Sequence, residues 1–242
     1  MSSRTAFVGG GATGIGYAVA EALAWAGHRV VITGRRLEPL DAAATRLHEC
    51  TGAEIRTLVQ DMAEPDLGSL PYVDVLVLNA GGPPPGRILD VPDDTWRDAA
   101  DLLLHGPLRL ARHVLPRMAH RGFGRVVFVT STAVRQPQPD LATSVVLRAA
   151  VTAAAKLLSL EHADRGVTVN CVAPGATDTE RRRRILAGRP GDAERRDLET
   201  IPVGRAGRPE EIGAAVAFLA SAAASYVNGT VLTVDGGRTE TI

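Results

Sequence analysis

Apolar and polar positions alternate along this chain in blocks. Short apolar runs, rich in β-branched residues, alternate with longer stretches whose apolar residues recur at helical spacing. The runs Thr5–Val8, Arg29–Thr33, Glu54–Gln60, Val73–Leu78, Arg125–Thr130, Val167–Val172 and Thr230–Val234 predict strands. Arg29–Thr33 is a continuous run of the kind found in strands covered on both faces. Helices are predicted over Tyr17–Trp25, Leu37–Cys50, Asp94–Arg121, Leu141–Asp164 and Pro209–Ala222. The Asp94–Arg121 helix is expected to break or bend near Gly106-Pro107 and Pro116. Asp61–Tyr72 carries two prolines and no periodicity, so it predicts a loop or a single turn. Glu180–Thr200 is polar and arginine-rich, and predicts a mobile excursion. Within it Arg181–Glu199, with Gly188, Pro190 and Gly191, is expected to be the least ordered part. The alternation predicts an α/β fold: a Rossmann-like doubly wound parallel sheet, built as one domain over residues 1–242. Ligands of such a sheet bind at the carboxyl ends of its strands.

Composition narrows the function classes. The 242 residues suffice for a full core, and no repeat or interdomain linker interrupts them. Formal net charge is zero, so no global field favours nucleic acid or an anionic membrane. Cys50 and Cys171 lie far apart and match no metal or redox spacing, which points to a reduced, cytoplasmic setting without a metal. Met1-Ser2-Ser3-Arg4 leads straight into the first strand, so no signal peptide is expected. No apolar run is expected to reach the roughly 20 residues of a membrane span.

The candidate chemistry begins at Val8-Gly9-Gly10-Gly11-Ala12-Thr13-Gly14-Ile15-Gly16, between the first strand and the first helix. Glycine lets the backbone turn where a side chain would clash, and a helix N-terminus offers free N–H groups to an anion. Gly9, Gly11 and Gly14 match G-x-G-x-x-G, and Gly10, Gly14 and Gly16 match G-x-x-x-G-x-G. At a first βα junction this reads as a dinucleotide-binding turn.

Several separated motifs resemble the short-chain dehydrogenase/reductase family, over essentially the whole chain and in the right order. The glycine turn matches the opening motif, with Gly9 where threonine is usual. Asn79-Ala80-Gly81 matches the fourth-strand motif, and Pro174-Gly175 with Thr177 and Thr179 the segment that meets the nicotinamide. Ile201-Pro202-Val203-Gly204-Arg205 and Tyr226 through Val234-Asp235-Gly236-Gly237 resemble the tail of ketoacyl-reductase-like members. The resemblance implies a cofactor held by Gly10, Thr13, Gly14, Ile15, Gly16, Asn79, Ala80, Gly81, Pro174, Gly175, Thr177 and Thr179. Asp61 and Met62, after the third strand, stand where the family meets the adenine; Asp61 also suits a turn cap. Thr33-Gly34-Arg35-Arg36 holds no acid for a ribose 2′-hydroxyl. Arg35 and Arg36 suit a 2′-phosphate, hence NADP(H), or else are solvated loop charges.

The family's reaction is hydride transfer between nicotinamide and a carbonyl or alcohol, with a tyrosine as acid, a lysine four residues on, a serine and an asparagine. Here Ser131 matches the serine. The tyrosine position falls on Ser144, the lysine position on Arg148 and the asparagine position on Leu103. Ser131, Ser144 and Arg148 are therefore the catalytic candidates, with Arg148 also gripping the nicotinamide ribose. A serine hydroxyl is far less acidic than a phenol, whose pKa is about 10, and arginine cannot relay a proton as lysine can. Tyr17, Tyr72 and Tyr226 are not obvious substitutes. His105 is either a catalytic group or a polar contact at the helix bend. Asp140 and Thr143 line the start of the Ser144 helix, where they place a water or begin the helix.

Two chemistries survive this departure: hydride transfer to a carbonyl held by the serines, or to a conjugated C=C whose enolate is protonated by solvent. A third reading, different in class, is a non-catalytic NADP-binding homologue acting as a sensor or assembly partner. Arg181-Arg182-Arg183-Arg184 reads as a solvated face or as contacts for an anionic substrate or carrier phosphate. Pro83-Pro84-Pro85 predicts a stiff loop beside the site. The resemblance implies a small-molecule substrate and a homodimer or homotetramer, and the long helices, apolar on more than one face, agree with subunit pairing.

Overall fold

The computed structural model describes residues 3–188 and 191–241. Strands β1 (Thr5–Val8), β2 (Arg29–Gly34), β3 (Ile55–Val59), β4 (Val75–Leu78), β5 (Gly124–Val129), β6 (Val167–Pro174) and β7 (Val231–Val234) form one sheet. Every pairing is parallel and the order is β3-β2-β1-β4-β5-β6-β7. The strand order reverses between β1 and β4, which opens a crevice at their carboxyl ends.

Period-2 alternation inside the apolar strands feeds a core on each face. Ala6, Val8, Val30, Ile32, Val75 and Val77 meet α1 (Gly14–Trp25), α2 (Leu37–Thr51) and α8 (Pro209–Ala220). Phe7, Val31, Leu76 and Phe128, of opposite parity, meet α4 (Gly106–His120) and α5 (Ala142–Glu161). Removing a large buried side chain such as Leu110 or Leu115 from the second core would cost about 2–5 kcal/mol.

Four expectations need correction. The long Asp94–Arg121 helix is divided into α3 (Asp93–Ala100), a π-helical turn Asp101–His105, and α4. The chain does not break at Gly106-Pro107; it widens just before them, and a Cβ at Gly106 would fall 1.7 Å from the Met62 carbonyl oxygen. The absence of a Cβ at Gly106 lets the backbone come that close. Pro116 stays inside α4.

The Glu180–Thr200 stretch is not irregular. It holds α6 (Glu180–Ala187) and α7 (Ala193–Glu199), cross-tied where Arg182 meets Glu194 at 3.0 Å and Asp197 at 2.9 Å. Arg184 pairs with Glu180, and Arg195 with Glu199 at 2.6 Å, one turn away. The arginine-rich run expected to be a mobile excursion thus carries two short helices joined by these ion pairs. Pro190 and its neighbour Arg189 lie outside the described residues.

α5 has 20 residues at a mean hydropathy of 1.4, so by length and composition it reaches what a membrane span needs. It nevertheless lays Val151 and Ala155 on the sheet core and carries Arg148 and Lys156. Its far side exposes Val146, Leu157 and Leu160, which accounts for its apolar average. Finally, its N-cap is Leu141, so Asp140 precedes the helix start and does not cap it.

Candidate active site

The glycine turn has the form that a phosphate needs. Gly14 has φ of 54° and Gly10 of 61°, a region open to glycine. A Cβ at Gly16 would sit 2.0 Å from the Gly10 carbonyl oxygen, so α1 can start only on glycine there. Thr13 is the N-cap and makes no side-chain cap, and no acid lies in the first turn. The first bond across the helix start is Tyr17 N–H to the Thr13 carbonyl at 3.2 Å. The N–H groups of Gly14, Ile15 and Gly16 therefore precede the helical ladder and face an anion site. Asn79 donates to the Gly9 carbonyl at 3.0 Å, clamping the end of β4 onto the turn. The cradle fits a dinucleotide pyrophosphate.

Around the cradle, Arg35 and Arg36 are exposed at the end of β2, with no ion pair among the described residues. Asp61 accepts from Ala63 N–H at 2.9 Å, the turn-capping bond, and leaves its other oxygen outward. Met62 reaches toward Gly9. Ala80 and Gly81 continue from Asn79 along the crevice, and Gly81 is exposed. On the opposite bank Pro174 ends β6 and Gly175 leads away from it, Thr177 donates to the Gly175 carbonyl at 3.2 Å, and Thr179 caps α6 by accepting from Arg182 N–H at 3.3 Å. The Thr179 methyl comes within 3.4 Å of where a Gly14 Cβ would stand, so the two banks meet.

The chemical end lies beyond β5. Ser131 follows it, and its Oγ accepts from Ala133 N–H at 3.1 Å. Arg148 reaches down from α5, donating through Nη1 to the Val129 carbonyl at 2.7 Å and through Nε to Ser144 Oγ at 3.2 Å. That tether brings Arg148 and Ser144 to the strand end that carries Ser131. Each serine oxygen accepts a bond from a fixed donor, which leaves each hydroxyl proton free to be donated. Loss of surrounding water, with a smaller contribution from the charge of Arg181, lowers the Arg148 pKa to about 10, so it remains a cation at neutral pH.

Leu103 is buried with Ala99 and Leu147, and Ala80 packs beside them, so an apolar plug stands at the position expected to carry asparagine. His105 points outward, bonded at 2.8 Å to Asp101 one turn back. Thr143 is buried, with no hydrogen-bond partner for its hydroxyl among the described residues. The tyrosines are elsewhere: Tyr17 lies under Arg46, Tyr72 lies under Arg121 ahead of β4, and Tyr226 is fully exposed.

A sequence model of the family described as Enoyl-(Acyl carrier protein) reductase matches residues 10–239. The "Dehydrogenase/reductase SDR family member 4" of Homo sapiens is 33% identical over 98% of this chain and 88% of its own length. The chain is a short-chain dehydrogenase/reductase. The "Cis-4-hydroxycyclohexanecarboxylate dehydrogenase" of Sinomonas cyclohexanicum is 35% identical, over 99% of this chain and 98% of its own. Among solved structures, YwfH, described as an NADPH dependent reductase involved in bacilysin biosynthesis, superposes with a TM-score of 0.93 at 28% identity, over all of both chains.

One residue of this short-chain dehydrogenase/reductase site escaped the sequence reading as an individual. Arg181 extends from α6 across the crevice and donates to the carbonyls of Gly82 at 2.7 Å and Pro83 at 3.0 Å. Its quartet was visible as a charge run. Nothing local distinguishes Arg181 from the three arginines that follow, because its partners lie about a hundred residues away. The triple-proline loop is fixed too: Gly86 and Leu141 bridge it to the start of α5.

Proposed function

We propose that this short-chain dehydrogenase/reductase is an atypical, NADP(H)-dependent reductase, delivering hydride to a carbonyl or conjugated enone of a small molecule without a tyrosine acid. One observation carries the reading: the hydroxyl that Arg148 holds at 3.2 Å belongs to a serine, and each of the chain's tyrosines is engaged or exposed elsewhere. The choice of NADP(H) is supported by Arg35 and Arg36, whose guanidinium forks suit a 2′-phosphate, and by the description of YwfH as NADPH dependent.

When bound, the dinucleotide supplies or accepts hydride at its nicotinamide. The chain's own groups then act on the substrate oxygen. Ser131 and Ser144 hydrogen-bond to it through their free hydroxyl hydrogens, and Arg148 adds a fixed positive charge beside the developing oxyanion. In a conjugated enone, hydride enters at the β-carbon and the electron pair moves to oxygen as an enolate. Solvent protonates carbon afterwards, so no strong acid is required at the oxygen. A simple ketone needs its alkoxide protonated on the spot, and a serine is a poor donor for that step. The apolar plug around Leu103 supports the same order of preference, because it offers no polar relay to the site.

NADPH oxidation measured against a panel of ketones and enones tests the reading; oxidation with enones supports it, and tight NADPH binding without turnover on any of them rejects it. That second outcome selects a non-catalytic NADP-binding homologue, a sensor or assembly partner, which Arg181 lying across the crevice favours. In either case we place the protein in the cytoplasm as a homodimer or homotetramer. Exposed Val146, Leu157 and Leu160 on α5 support pairing through that helix, and light scattering after gel filtration checks it.

A further inference from the structure

We propose that the substrate is an acid, and that its carboxylate docks on Arg181 above Arg148. This rests on the reductase reading of the same site. Of four consecutive arginines, three carry carboxylate partners: Arg182 has Glu194 and Asp197, Arg183 has Asp178 at 3.1 Å, and Arg184 has Glu180. Arg181 has none among the described residues. It is turned the other way, inward over the crevice, and two neutral carbonyls hold it.

The floor beneath it is shaped for it. A Cβ at Gly82 would fall 2.1 Å from Arg181 Nη2, so the guanidinium rests directly against the Gly82 backbone. Gly82 follows β4, and the Val129 carbonyl that holds Arg148 ends β5, the neighbouring strand. Two guanidinium groups thus stand at the carboxyl ends of adjacent strands. Arg148 also lacks an acidic partner, and its Nη2 has no acceptor among the described residues.

Arg148 is partly withdrawn from water without a counter-ion, which costs free energy, and Arg181 stands exposed at the crevice edge, so an anion between them offsets that cost. The charge of Arg181 acts on Arg148, which places the two within electrostatic reach. The cofactor's own anions are provided for elsewhere. Its pyrophosphate has the N–H groups of Gly14–Gly16, and its 2′-phosphate has Arg35 and Arg36 beyond β2. A planar carboxylate accepts two parallel bonds from a guanidinium fork, so a keto acid or an enone acid matches Arg181 with its reactive carbon directed to Ser131 and Ser144.

The test is calorimetric titration of the NADPH complex with 4-oxocyclohexanecarboxylate and with its neutral carboxamide. The acid should bind at least about tenfold more tightly, the scale of one charge-assisted hydrogen bond. Arg181→Leu should remove that preference while changing the affinities for the amide and for NADPH less than about twofold, and Arg181→Lys should restore part of it. Equal binding of acid and amide, binding of neither, or displacement of the acid by an equal concentration of inorganic phosphate would overturn the proposal. So would a loss of NADPH affinity in Arg181→Leu with the acid unaffected. Hydride transfer in the same complexes keeps the two readings apart. An acid that binds through Arg181 but is never reduced defeats the reductase reading alone. Ketone turnover without acid preference defeats the carboxylate site alone.

Discussion

The two halves of the crevice are built by different means. On the nucleotide side, from β1 to β3, the work falls to the backbone: N–H groups at the start of α1, a turn at Gly10, and a contact at Gly16 that admits no side chain. On the chemical side, beyond β4 and β5, the work falls to side chains on a helix and on loops. A backbone device cannot change without changing the fold, because it is the strand–helix junction itself. Ser144, Arg148 and Leu103 occupy helical positions, where a side chain can be exchanged without redirecting the backbone. On the proposed reading, the half built from backbone keeps its family form, while the half built from side chains has been rewritten.

Restoring the family's acid breaks this comparison most sharply. The double variant Ser144→Tyr with Arg148→Lys should raise kcat for simple ketones by about 10²–10⁴, the usual contribution of a positioned general acid. Steady-state rates check this, and an unchanged kcat would mean that the phenol is not what the chemical half lacks. On the other side, Arg35→Ala with Arg36→Ala should weaken NADPH binding about a hundredfold and leave NADH nearly unchanged, as expected for lost charge-assisted bonds. A fluorescence titration with both cofactors reads the difference. Gly16→Ala should weaken both cofactors alike, by at least about tenfold, because a Cβ 2.0 Å from the Gly10 carbonyl oxygen forces the backbone to move by about an ångström or more, against about 1–3 kcal/mol or more of overpacking.

The smallest effect concerns the frame that holds α1. α8 lies directly on α1, since a Cβ at Gly213 would meet the Ala18 carbonyl oxygen at 2.6 Å. Glu211 secures the start of α8 through Arg205 at 2.7 and 2.9 Å and the Arg208 N–H at 2.6 Å. These bonds, Arg205 first, hold its pKa down at about 2. A carboxylate with a lowered folded-state pKa stabilises fully above its unfolded value, and that contribution is lost as pH falls toward the folded value. Glu211→Gln should therefore lower Tm by about 1–2 °C at neutral pH. The gap to the parent should close as pH drops from the ordinary glutamate range toward 2.

Much of this was legible in the chain because it is local. Apolar runs mark the strands, and the glycine turn announces its own geometry. The Ser144 and Arg148 pair, marked by the family resemblance, lies one helical turn apart on α5. What escaped depends on distant partners. Arg181 is set apart by carbonyls near β4. The charges of α6 and α7 look like a solvated coil until Arg182 is seen between Glu194 and Asp197. The π turn before Gly106 answers a close approach by Met62 from another part of the chain.

The most direct test of the central claim is stopped-flow oxidation of NADPH in the presence of cyclohex-2-enone and, separately, cyclohexanone. NADPH should bind to the parent enzyme and be oxidised much faster with the enone, whose product can take its proton from water. Equal or faster oxidation with the saturated ketone, or no binding of NADPH at all, would contradict it.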